Sequence, residues 1–114
     1  NRTIEDLNVD YEYCDALPDM RASIEFMKEK GYKNEIIIWG SSYSAGLCFQ
    51  IAEEFRESIS GIIACSPAAG GPMEKCRPNF FMEKYTGKAL ILRPKKEMEY
   101  PWVKAQLDEA IAQG

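Results

Sequence analysis

Ile36-Ile37-Ile38-Trp39-Gly40-Ser41-Ser42-Tyr43-Ser44-Ala45-Gly46 is the stretch that decides how this sequence is read. Its first four residues are apolar, mostly β-branched and show no alternation, the pattern of a strand covered on both faces. Glycine and serine then break the run, and Leu47, Cys48, Ile51, Ala52 and Phe55 recur at helical spacing on one face. The spacing therefore predicts strand, tight turn and helix, with Ser42 at the sharpest point of the turn. Two chain segments pass close together at such a turn, so the residues two before and two after Ser42 must be small, as Gly40 and Ser44 are. A helix starting at Tyr43 aims unpaired N–H groups and its positive dipole end at the space in front of Ser42. An oxyanion formed there would find the Tyr43 N–H as its first donor.

Other uses of a serine-rich turn compete with a nucleophile. Ser41, Ser42 or Ser44 could cap the helix by accepting a backbone N–H bond. The turn could also cradle a phosphate at the helix N-terminus, but it has neither G-x-G-x-x-G nor G-x-x-x-x-G-K-[ST]. Its place directly between a buried strand and an apolar helix favours the nucleophile. Trp39 and Tyr43 read as core or pocket-wall residues.

Outward from this stretch, residues 1–14 are polar, without a sustained period, and read as a loop. A helix is expected over 15–30: Asp15 suits an N-cap, Pro18 is tolerated in the first turn, and Gly31 stops it. Ala16, Met20, Ile24 and Met27 would form its apolar face. Strands are expected near 35–39, 61–66 and 89–92, helices near 43–57 and 101–113. The last helix would carry Val103, Leu107 and Ile111 on one stripe. Lys75, Arg77, Phe80, Phe81, Glu83 and Lys84 fall in a polar connection. Strands alternating with helices predict an α/β domain, with a parallel sheet and helices on both faces. Three strands leave apolar edges that proteins normally pair or cover, so flanking strands are expected elsewhere in the protein or in a partner.

At 114 residues the chain is a single domain, and with 18 acidic against 14 basic side chains its net charge is −4, the wrong sign for nucleic acid. No apolar run reaches the roughly 20 residues of a membrane helix. No export signal is visible, and Cys14, Cys48, Cys65 and Cys76 include no C-x-x-C pair. A reducing, cytoplasmic setting is the expectation, with Cys48 and Cys65 serving as small hydrophobes. The sequence contains no His, which excludes His-based metal sites and any complete Ser-His-Asp triad within these residues.

Residues 15–114 resemble the middle of an α/β-hydrolase of the compact dienelactone-hydrolase or esterase kind. Gly40-Ser41-Ser42-Tyr43-Ser44 is similar to the family's G-x-S-x-G nucleophile elbow, with Ser44 in place of the final glycine. The resemblance implies a partial α/β-hydrolase fold, a loop over the pocket at 66–71, and a triad acid in the turn after the 89–92 strand. Glu97 occupies that place, and Glu99 is the runner-up; both could equally be solvated charges near a helix start. The family's His would follow the last helix, so the chain is expected to be a central fragment, nearly inactive alone. The implied activity is hydrolysis of a small carboxylic ester or related acyl substrate, without metal or organic cofactor. A non-catalytic α/β binding domain, or a degenerate hydrolase subunit, is the alternative.

Overall fold

The computed structural model describes residues 11–32 and 36–112. A 3-10 turn over Tyr13–Ala16 leads into helix α1, Leu17–Glu29. Strand β1 (Ile36–Ser41), helix α2 (Tyr43–Glu54) and strand β2 (Ile59–Cys65) follow. A 3-10 turn at Gly71–Cys76 and helix α3, Pro78–Lys84, lead to strand β3, Lys88–Leu92. A last 3-10 turn, Lys95–Glu99, precedes helix α4, Pro101–Ala112.

The expected strands and helices are present with shifted ends. β1 runs past Trp39 to Ser41, while Glu35, where it was expected to begin, lies outside the described residues, as do residues 1–10 of the loop and Gln113. Asp15 does not cap α1: its carboxylate accepts the Glu12 N–H at 2.8 Å and closes the preceding 3-10 turn. At the other end Gly31, at φ 93°, takes the left-handed position that ends the helix, and the Gly31 and Tyr32 N–H groups bond back to Lys28 and Met27. The polar connection contains α3, because Pro78 suits a first turn and Met82 supplies a buried contact.

β1, β2 and β3 form one parallel sheet in that order. Register aligns Gly40, Ala64 and Ile91 in one row and Trp39, Ile63 and Leu90 in the next. Since neighbouring residues point to opposite faces, these rows belong to different sides of the sheet. α2 covers the first side: Ala45, Leu47, Cys48, Phe49, Ile51 and Ala52 are all buried, with Ile36, Ile62 and Ala64 beneath them. Fully burying Leu47, Phe49 or Ile51 contributes about 1.5–3 kcal/mol each. α4 lies on this side too, where Val103 and Gln106 share a cavity of ≈ 230 Å³ with Ile91 and Arg93. Its buried face is Val103 and Gln106, whereas Leu107 and Ile111 of the expected stripe are exposed.

The sheet is not covered on both faces among the described residues. Ile37 is 62% exposed, Trp39 75%, Leu90 53% and Leu92 48%, all on the side away from α2. An unalternating apolar strand does signal two apolar faces, but the described helices gather on one of them. By strand order β1 and β3 are the edges of the described sheet and β2 is its centre.

Cys14 and Cys76 form a disulfide, with Cα atoms 5.6 Å apart, which runs against the expectation of a reducing setting. Their 62-residue separation conceals the pair in sequence. Cys48 and Cys65 are free, in agreement with their reading as small hydrophobes. Among the described residues no helix is long and apolar enough to cross a membrane.

Candidate active site

The turn between β1 and α2 is built by steric constraint. Ser42 sits at φ 58° and ψ −123°, a conformation that costs a non-glycine residue of order 1–3 kcal/mol. Its N–H donates to the Cys65 carbonyl at 2.9 Å, and its own carbonyl accepts from Ala68 N–H at 3.0 Å and Gly46 N–H at 3.3 Å. The strained residue is thus pinned from β2, from the loop after it, and from its own helix. A Cβ at Gly40 would lie 2.7 Å from the Ala45 nitrogen and the Ser44 carbonyl carbon, so only glycine fits where strand meets helix. Ser44, the small residue on the far side, is partly buried.

Gly46 is a further requirement that sequence reasoning passed over. A Cβ there would stand 2.4 Å from the Ala68 carbonyl oxygen, so α2 packs directly against the loop after β2. Its glycine was the available signal, but nothing local reveals that Ala68 is the neighbour.

Ser42 occupies the N-cap position of α2 yet makes no side-chain capping bond. Its residue is exposed, which leaves the hydroxyl at the mouth of the turn rather than folded back onto the helix. Tyr43, at the first helical position, has a backbone N–H among those a helix cannot satisfy internally. The residue is 37% exposed and its ring stacks on Tyr13 at 4.9 Å, while Trp39 stands on the side of the sheet away from α2.

The turn after β3 is built differently. Glu97 lies in the 3-10 turn at Lys95–Glu99, and each carboxylate oxygen has one partner. Ser66 Oγ donates to Oε1 at 3.0 Å, and Arg93 Nη1 donates to Oε2 at 3.1 Å. Ser66 is the first residue after β2 and takes φ 48°, with its N–H donating to the Leu92 carbonyl at 2.8 Å. The Arg93 side chain is only 6% exposed. Its Nη2 also donates to the Pro67 carbonyl at 2.6 Å and to Gln106 Oε1 on α4. Burial pushes the Arg93 guanidinium below its ordinary value, and Glu97 opposes that shift. An ionised carboxylate has about four lone-pair sites, so two remain for another N–H donor. Glu99, the runner-up, is exposed.

Ser42, Ser66 and the Glu97 turn follow β1, β2 and β3, and parallel strands bring all three to one end of the sheet. Sequence reasoning named Ser42, Tyr43, Gly40, Ser44 and Glu97, but it missed Ser66 and Arg93 as partners of the acid and Gln106 as a partner of Arg93. Of the other nucleophilic side chains, Cys48 is buried within α2 and its thiol is pushed up to about 11, so it stays protonated at neutral pH. Cys65 Sγ accepts the Trp39 Nε1–H at 3.3 Å. Among the described residues no group of three His, Cys, Asp or Glu side chains could hold a metal ion. Comparison with protein-family models, with curated proteins and with solved structures finds no match to this chain.

Proposed function

We propose that Ser42 is the nucleophile of a serine hydrolase of the α/β-hydrolase kind, acting on a carboxylic ester or related small acyl substrate. The observation that carries this reading is the strained backbone of Ser42 at a strand-to-helix turn, with no capping bond made by its hydroxyl. A serine that only ended a helix would gain nothing from φ 58°, whereas a nucleophile gains exposure and a ready set of N–H groups.

In this mechanism Ser42 Oγ attacks the carbonyl carbon as its proton passes to a His, and the carbonyl oxygen becomes an oxyanion facing the Tyr43 N–H. The intermediate collapses when the imidazolium returns that proton to the departing alcohol. Water, deprotonated by the same His, then releases the acid and restores Ser42. Glu97 accepts the second N–H of the imidazole and fixes its tautomer. The His comes from outside these 114 residues, none of which is a His. The scheme calls for no metal or organic cofactor.

The test is labelling of the full-length protein with a fluorophosphonate. Labelling that is lost in Ser42→Ala and strongly slowed in Glu97→Gln is expected, while the 114-residue chain alone should hydrolyse esters no faster than buffer. A full-length protein that ignores the probe would overturn the nucleophile.

A second reading, a binding domain derived from such a fold, is favoured by the exposed row of Ile37, Trp39, Leu90 and Leu92, which invites a partner. It expects no labelling at Ser42. For the compartment, free Cys48 and Cys65 suit the cytoplasm, but the Cys14–Cys76 bond weighs towards an oxidising one. Mass spectrometry of alkylated protein taken directly from cells decides between them.

A further inference from the structure

None of Tyr13–Ala16 is buried, and Tyr11 is 53% exposed. Cys14 and Ala16 are only partly buried against the core, so apolar burial offsets just part of the entropy lost by holding the segment in one position. Among the described residues three further links hold it. The Cys14–Cys76 disulfide ties it to the 3-10 turn at Gly71–Cys76. The Glu12 carboxylate pairs with the Lys75 ammonium on that same turn. The third link is the Tyr13 ring, stacked on Tyr43 at 4.9 Å and 28°. Two links therefore anchor the strap to the loop after β2, and the third lands on the residue that follows Ser42.

We propose that Tyr13 is a positioning residue of the Ser42 site, holding Tyr43 and the first turn of α2 in place, and that the Cys14–Cys76 disulfide keeps it there. Its catalytic meaning rests on the serine-hydrolase reading above. A donor for an oxyanion acts only where it is held. The Ala68 and Gly46 N–H groups fix the Ser42 carbonyl, which shares a peptide with the Tyr43 N–H, and the stack adds a hold on the Tyr43 side chain from outside the helix. The disulfide supplies the stack, because closing the chain keeps the Tyr13 ring near Tyr43 and an open chain lets it leave.

Reduction by a dithiol then weakens the site. Cys76 is buried at 7% exposed and Cys14 is partly exposed, so a thiolate of the reductant attacks Cys14 Sγ. The Cys14–Cys76 bond breaks, the Cys76 sulfur leaves as a thiolate and takes up a proton. The second reductant thiol displaces Cys14 from the mixed disulfide. Two electrons and two protons pass from the dithiol, which ends as a cyclic disulfide, to two protein thiols.

The experiment follows fluorophosphonate labelling of Ser42 in the full-length protein, oxidised and after dithiothreitol. A ring stack of this kind supports a slowing of roughly two- to tenfold on reduction. A variant with both Cys14→Ser and Cys76→Ser should label at the slow rate with or without dithiol. Tyr13→Phe, which keeps the stack, should label like the wild type, and Tyr13→Ala should be slow. Amide exchange is the second readout and needs no reactive serine: Gly46, bonded to the Ser42 carbonyl, should exchange faster after reduction. Labelling indifferent to dithiol, or a fast Tyr13→Ala, overturns the strap and leaves the nucleophile standing. A silent Ser42 in the oxidised wild type overturns the hydrolase reading, and unchanged Gly46 exchange overturns the strap whatever Ser42 does.

Discussion

The turns after β1 and β3 stand at the same end of one sheet and are held by opposite means. Around Ser42 the hold is steric and main-chain: a strained residue, two glycines that admit no Cβ, and carbonyl and N–H partners on three segments. Around Glu97 it is side-chain and ionic: Ser66, Arg93 and Gln106 converge from the ends of β2 and β3 and from α4. The contrast suits the proposed roles. A nucleophile must present its oxygen at one fixed angle, which a rigid backbone does best, whereas an acid must offer charge, which needs donors around it.

The comparison breaks most completely at Gly40. In Gly40→Val the added atoms meet Ala45 and Ser44 main chain, which cannot step aside, and a loss of about 3 kcal/mol in urea unfolding is expected. A stability within 1 kcal/mol of wild type would show that strand and helix are not locked together there. On the other side Arg93→Met takes from the Glu97 carboxylate its guanidinium partner, and leaves the Pro67 carbonyl only the longer Gln106 Nε2 bond at 3.4 Å. About 2–3 kcal/mol should be lost, and adding Glu97→Gln should cost less than the sum of the two single changes. Strict additivity would mean that the pair does not hold the turn.

Ser66 joins both kinds of constraint, a positive φ and a hydroxyl donor, and two substitutions separate them. Ser66→Ala keeps the strain and loses the bond, at a cost of about 1–2 kcal/mol. Ser66→Gly loses the same bond but relaxes the backbone, and should be about 1 kcal/mol more stable than Ser66→Ala. The reverse order in thermal denaturation would remove backbone strain from the account. At Ser42 itself the expected change is a gain. Ser42→Gly relieves the strain and forfeits no capping bond, so the melting temperature should rise by an amount worth about 1 kcal/mol while labelling disappears. A lower melting temperature would place the Ser42 side chain among the groups that hold the turn.

The smallest effect is a reference point outside both turns. Arg21 grips Glu54 with two bonds, at 2.6 and 2.8 Å, and its hydrogen bond holds the Glu54 carboxyl below its ordinary value. A depressed folded value stabilises above the unfolded one and is lost as pH falls through the folded one. Arg21→Met should therefore cost about 0.5 kcal/mol at neutral pH, vanishing in acid. A cost that stays constant down to pH 2 would assign the loss to packing of the arginine stem instead.

Much of the Ser42 turn was legible in the order of residues, because its determinants lie in one continuous stretch from Ile36 to Phe55: an apolar run, Gly40, small neighbours and an apolar helix. Local chemistry fixes local conformation, and a turn admitting no Cβ announces itself as glycine. The Glu97 turn showed only its carboxylate. Ser66 lies 31 residues before Glu97 and Gln106 is 13 beyond Arg93, separations at which no spacing rule connects side chains. For the same reason the expected stripe of Val103, Leu107 and Ile111 holds only at Val103, and Gln106 is the other buried residue of α4.

What the sequence determined by itself was the alternation of strands and helices, the parallel sheet it requires, and the absence of a histidine base from these residues. The partners were decided only in three dimensions: that Cys14 meets Cys76, that Tyr13 rests on Tyr43, and that among the described residues the sheet has one covered and one bare apolar side. Periodicity records which face of an element is apolar, because the repeat of the backbone carries it. It does not record what will cover that face, because packing joins residues by distance in space and the chain's order is silent about distance once it turns.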